Sequence, residues 1–248
     1  MLGVAVLQAG LTLFVAGLVV AVVPAGTLGW SWLHGLPAAA LGVAVALAGA
    51  RLPVRRRATT ARRAIIDDYA PEWEFDEHHT RRIAAPPDRV YAAIRTLPAG
   101  DIRFFHLLTW LRRLGRPQPP GILNAPKDEP IIDTAVRGGF VLLAEDPPRE
   151  VVVGAVVIGQ SRVLQPLGAD AFGAIVEPGF AKATMNFLIA PDGAGGSIVT
   201  TETRVHATDP RSARRFAMYW RIIQPGSGFI RRMWLRAIER RAKEGSPS

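Results

Sequence analysis

The first fifty residues contain no Asp, Glu, Lys or Arg. No other feature restricts this chain as much. A water-exposed domain of that length carries surface charge, whereas a lipid-facing segment does not. Leu2 to Val23 is almost wholly apolar. As a helix it is about 33 Å long, enough for a hydrocarbon core of about 30 Å. Pro24 and Gly26 end it. Trp30 and Trp32 in "TLGWSWLHGLP" suit a membrane interface. Leu36 to Ala50 is apolar again and reaches spanning length if extended back to Trp30. Pro37 then falls near the helix start, where proline costs least. The expectation is a hairpin of two transmembrane helices over residues 1–52. A cleaved signal peptide would show a basic start and a shorter apolar run, and the sequence has neither.

Every formal charge lies from Arg51 onward, and the sum is +9. "ARLPVRRRATTARR", from Ala50 to Arg63, holds arginines at 51, 55, 56, 57, 62 and 63 and no acid. Arginines clustered beside a span favour the cytoplasmic side. The expected location is therefore the inner membrane, with two spans and with both the N-terminus and the charged part cytoplasmic. Residues 53–70 read as a basic juxtamembrane linker able to meet anionic lipid. The bilayer is thus an expected partner. Nucleic acid is not, because no aromatic side chains interleave with the arginines. The chain has no cysteine, which excludes disulfides, thiolate catalysis and cysteine-ligated zinc.

Residues 71–243 read as a single domain, with 244–248 as a tail. "FDEHHTRRIAAPPDRVYAAIRTL" gives a strand, a Pro-Pro turn and a helix with Val90, Ile94 and Leu97 at helical spacing. "DIRFFHLLTWLRRLGRP" gives a second helix with Asp101 as N-cap. Residues 116–130 hold five prolines and read as a loop. "PIIDTAV" is open between helix and strand. "GFVLLAEDPPREVVVGAVVIG" and "GFAKATMNFLIAPDGAGGSIVTTETRVHATDP" are two hairpins, with "AFGAIVEP" as a short strand between them. Asp209-Pro210 opens a last helix, and Pro225-Gly226-Ser227-Gly228 is expected to kink or break it.

These residues resemble a known family. "APPDRVYAAI", "GFVLLAEDPPREVVVG", "GFAKATMNF", "TTETRVHATDPRSARRFAMYW" and "PGSGFIRRMWLRAI" are similar to the SRPBCC, or START-like helix-grip, superfamily. Within it they resemble a polyketide cyclase/dehydrase-like bacterial branch, over about residues 74 to 242. The resemblance implies an α+β fold: a curved antiparallel sheet of about six to seven strands gripping a long C-terminal helix, here preceded by the two spans. It also implies an apolar cavity between sheet and helix, and members that bind lipids and other apolar molecules or act as cyclases and dehydratases. Fold alone does not choose among these.

Strand parity sorts the candidates. On the last strand Val199, Thr201, Thr203, Val205 and Ala207 share one face, and Thr200, Glu202, Arg204 and His206 the other. On the strand before, Met185 and Phe187 oppose Lys182 and Asn186. The apolar face is expected to meet the terminal helix and the ionisable face to meet water. Met185, Phe187, Thr201, Thr203, Tyr219 and Trp220 are then the ligand-binding candidates for an apolar small molecule or lipid. No catalytic group is expected on this parity. The opposite parity would put Glu202, Arg204 and His206 in the pocket as the acid–base groups of a cyclase or dehydratase. A third reading is a structural or partner-binding domain with a filled core. No cofactor or metal is expected, since adjacent His78 and His79 point to opposite faces and no ligand spacing such as HxxxH occurs. The sequence does not set the oligomeric state.

Overall fold

The computed structural model describes residues 2–22, 32–51, 56–159 and 168–244. They group into two units, residues 1–55 with 214–224, and residues 56–213 with 225–248.

In the first unit, α1 (Leu2–Val22) and α2 (Trp32–Arg51) pack closely. A Cβ on Gly10 would meet the Ala46 backbone nitrogen at 2.3 Å, and one on Gly42 would meet that of Phe14 at 2.3 Å. Only glycine lets the two backbones approach so far, which is how helices associate without a hydrophobic driving force between them. Val15, Val19, Leu41 and Leu47 point outward and are exposed. Gln8 donates to the Arg221 carbonyl at 2.8 Å. Residues 214–224, expected within the 71–243 domain, thus group with the hairpin. Among the described residues no helix is long and apolar enough to cross a membrane. The expectation of two complete spans is not met, and α2 shows one reason: alanine and glycine fill much of it, and it ends on Arg51. Trp30 and the side chain of Trp32 lie outside the described residues, as do 245–248 of the tail.

The second unit is α+β. A two-stranded sheet of β1 (Arg57–Ala58) and β2 (Glu72–Trp73) flanks the short α3 (Ile66–Tyr69). The main sheet is antiparallel, in the order β3 (Phe75–Ile83), β7 (Ser197–Ala207), β6 (Ala181–Pro191), β5 (Glu150–Ile158), β4 (Val141–Asp146). It has five strands rather than the expected six to seven. "AFGAIVEP", residues 171–178, expected as a strand, starts inside the helix α7 (Ala169–Gly173). Its Phe172 is fully buried with its ring on Gly154, where a Cβ would come within 2.7 Å. The helical turn aims that ring at the sheet, and no strand pairing competes for it.

Between β3 and β4 run α4 (Pro87–Thr96), a 3-10 turn at Ala99–Asp101, α5 (Phe105–Arg112) and α6 (Ile131–Arg137). Asp101 sits in the 3-10 turn, and Phe104 precedes α5, so the expected cap is displaced. The last helix, α8 (Pro210–Glu244), runs unbroken through Pro225, against the expected break. One lost i−4 bond does not end it. Asp209 caps its start, accepting from the Arg211 and Ser212 amides at 2.7 and 3.0 Å.

Both faces of the sheet are covered. Ile94, Leu97, Val151, Val153, Met185, Phe187, Val199, Trp234 and Ile238 form one core. On the other face Ala64, Ile66, Val152 and Phe172 form a second. Parity therefore holds, but the ionisable face meets water only in part: Thr200, Glu202 and His206 are half-buried and Arg204 is buried. Segment 56–74 lies over it, and Arg204 is only 7% exposed.

Candidate functional site

The outer face carries the ionisable row. Arg204 donates through Nε and Nη2 to both oxygens of Glu202, at 2.7 and 3.1 Å. Its Nη1 donates to Asp67, the Ala70 carbonyl and Thr59, at 2.7, 3.0 and 3.2 Å. Its guanidinium stacks 4.1 Å from the Trp73 ring. Asp67 also accepts from the Arg63 and Ala64 amides at 2.7 and 3.0 Å. Burial works to raise the Asp67 pKa, but those amides and Arg204 outweigh it and hold the carboxyl below its ordinary value. His206 Nδ1 lies 3.6 Å from Glu74. Nearby, fully buried Glu150 accepts from the Ile65 amide and from Asn186, both at 2.7 Å. Glu202 and Arg204 thus spend their polar groups joining segment 56–74 to the sheet.

The inner face holds a second polar cluster, which sequence reasoning missed. Register places Glu77 opposite Thr203 and His79 opposite Thr201, with Met185 and Phe187 next in the same two rows. Glu77 Oε1 lies 2.8 Å from His79 Nε2, and Glu77 Oε2 accepts from Ser227 of α8 at 2.8 Å. A Cβ on Gly228 would stand 2.8 Å from Glu77 Oε1, so glycine lets the helix come this close. Arg231 donates to Met185 Sδ, and to Thr203 Oγ1 at 3.2 Å. It lies 5.3 Å from the centre of the Trp234 ring, which sits 5.1 Å from that of Phe187.

Two donors in this cluster have no partner among the described residues: Thr201 Oγ1 and Trp234 Nε1, on side chains 1% and 2% exposed as residues. Burial pulls the Arg231 pKa down to about 10, with Glu77 pushing back and Arg112 adding to the fall. Arg231 nonetheless keeps some accessible surface.

Of the expected ligand-binding residues, Met185, Phe187, Thr201 and Thr203 come together on this inner face. Tyr219 and Trp220 belong to the first unit, where Trp220 is buried with its ring 5.8 Å from Phe216 and Tyr219 is partly exposed. Glu202, Arg204 and His206 lie on the outer face. The signal for the missed residues was present: Phe75, Glu77, His79, Arg81 and Ile83 share one parity, with apolar ends and an ionisable middle. Among the described residues no group of three or more His, Asp or Glu can hold a metal ion.

No protein-family model matches the chain, and no curated protein sequence does. Solved structures align over most of it. TTHA0849 from Thermus thermophilus is 12% identical, with 70% of this chain and 100% of that one covered and a TM-score of 0.31. Protein MLL2253 from Mesorhizobium loti is 15% identical, with 70% and 100% covered and a TM-score of 0.33. CalU16 from Micromonospora echinospora is 16% identical, with 77% and 92% covered and a TM-score of 0.27. At such identities and scores they lend nothing to the functional reading, which rests on the chain's own residues.

Proposed function

We propose that the second unit binds a small, largely apolar molecule between the inner face of the sheet and the C-terminal half of α8, with a polar end at Thr201, Arg231 and Trp234. One observation carries the reading: two buried donors on the inner face, Thr201 Oγ1 and Trp234 Nε1, have no hydrogen-bond partner among the described residues, and the Arg231 guanidinium lies 5.3 Å from the Trp234 ring. An orphaned buried donor costs about 1–3 kcal/mol. A bound ligand bearing an oxygen removes that cost. Met185 and Phe187 supply the apolar wall. The cyclase or dehydratase reading through Glu202, Arg204 and His206 has one comparable observation, the buried His206 Nδ1 without a hydrogen-bond partner among the described residues, but Glu202 and Arg204 beside it are bonded to each other.

We also infer that the hairpin of α1 and α2 keeps the chain at a membrane, with the Arg51–Arg63 cluster on the cytoplasmic side. Supporting this are the charge-free first fifty residues, the glycine-mediated helix contact and the outward valines and leucines. A reporter fused after residue 65 tests the orientation, and activity on the far side of the membrane overturns it.

The binding reading is tested on the purified full chain by native mass spectrometry and displacement of an apolar fluorescent probe. A retained small apolar mass, or saturable probe binding weakened in Thr201→Val, is the expected result. Absence of both overturns the reading.

A further inference from the structure

We infer that the ligand of the inner-face site is an amphipathic carboxylic acid, held as its carboxylate by Arg231, Trp234 and Thr201. This rests on the binding reading above and goes beyond it by naming the polar end. The Arg231 guanidinium has five N–H bonds, but its hydrogen-bond partners are one hydroxyl and one thioether, a weak acceptor. Among the described residues no carboxylate lies within ion-pair distance of it. Glu77 is near enough to act on Arg231 through space, yet its two oxygens are spent on His79 and Ser227.

The half-buried Arg231 guanidinium has N–H groups left over, and a bidentate oxyanion suits them. The neighbouring unpartnered groups are an indole N–H, which can only donate, and a hydroxyl free to donate. Donors thus dominate the open valences of the cluster. A neutral alcohol or amine would offer one weak acceptor or a further donor. A carboxylate offers two oxygens with about four lone-pair sites and supplies the missing negative charge. The apolar side chains of Met185 and Phe187 beside this head require the rest of the molecule to be hydrocarbon or aromatic.

The test compares decanoate with decan-1-ol on the full chain in neutral detergent, by intrinsic fluorescence titration, with Arg231→Met as a second protein. The acid should bind at least about tenfold tighter than the alcohol, with the preference collapsing towards unity in Arg231→Met. Equal affinities in the unaltered chain overturn the carboxylate assignment while leaving the binding reading intact. Failure of both compounds to bind overturns both. The comparison in the unaltered chain stands by itself should the variant fold poorly.

A separate observation carries a second proposal. Phe104, Leu107, Trp110, Leu111 and Leu114, on and beside α5, are between 49% and 80% exposed. Five large apolar side chains within eleven residues make a patch that a purely water-facing surface avoids. Arg103, Arg112, Arg113 and Arg116 surround it, and no acid occurs between Asp101 and Asp128. We propose that α5 docks on an anionic lipid surface, its apolar side chains entering the acyl boundary and its arginines meeting the head groups. Charge selects lipid over a second copy of the chain, because two such arginine collars repel.

Hydrogen exchange of residues 103–116 tests this on the full chain reconstituted in phosphatidylcholine vesicles, with and without about 30 mol % phosphatidylglycerol. Protection that rises with the anionic lipid and falls in about 0.5 M salt is expected. Identical exchange in both vesicles overturns the proposal. So does protection that follows protein concentration regardless of lipid.

Discussion

The two faces of the five-stranded sheet bury similar chemistry, and their arginines are partnered differently. On the outer face Arg204 makes five hydrogen bonds, two of its acceptors are carboxylates, and those carboxylates are satisfied in turn. On the inner face Arg231 makes two, neither to a carboxylate, and an indole and a hydroxyl of the same face have no partner among the described residues. A saturated buried network specifies structure, and an unsaturated one is completed by something else. The contrast is one between the two arginines rather than the two faces, since each face contains Arg, Glu, His and Thr and the outer one also buries Trp73 Nε1 and His206 Nδ1 without a hydrogen-bond partner among the described residues.

The largest expected effect falls on the joint. Arg204→Met leaves Asp67 buried without its cation and should cost about 3–5 kcal/mol of stability, read by denaturant unfolding. Thr201→Val on the inner face should raise the stability of the ligand-free chain by about 1 kcal/mol, because an orphaned hydroxyl gives way to a methyl of the same size, yet weaken ligand binding about fivefold or more. Equal stability losses in the two variants would break the distinction between the faces.

Gly228→Ala sharpens it at about 1 kcal/mol. The usual helix-propensity gain of that size should not appear in thermal unfolding, because the new Cβ meets Glu77, and ligand affinity should fall as Glu77 shifts. Smallest is the response to acid. The carboxyls of Asp67 and Asp209 are both held below their ordinary range, Asp67 against its own burial and Asp209 chiefly by the Ser212 hydroxyl and amide. Their stabilisation is complete above the unfolded value of about 4 and is lost as pH falls below it towards the folded values. Unfolding midpoints between about pH 5 and 3 should therefore drop, less so in Asp209→Asn.

Much of this was legible in the sequence, because period-2 alternation and turn residues dictate strands whatever surrounds them. β6, β7, their turn and the Asp209 cap follow from local patterns. Strand parity correctly divided Thr201 and Thr203 from Glu202 and Arg204. Parity does not say what covers a face, and the covering came from Arg56 to Glu74, a stretch without strong periodicity of its own. Hence Arg204 looked solvated. Glu77 and His79 share a visible parity, but their setting went unseen because Ser227, which donates to Glu77, lies 150 residues further on.

The five bonds of Arg204 also bear on how the chain reaches this arrangement. A slip of β7 by one residue would exchange its faces, turning Glu202 and Arg204 towards α8 and Thr201 and Thr203 away from it. Threonine pairs well in either register, so β7 by itself discriminates weakly between the two. The guanidinium finds Asp67, Thr59 and the Ala70 carbonyl only from the correct face, and the slipped pairing would bury it without them. Arg204 is thus a register lock, penalising the misfold that would destroy the binding face while standing on the opposite side of the sheet from it.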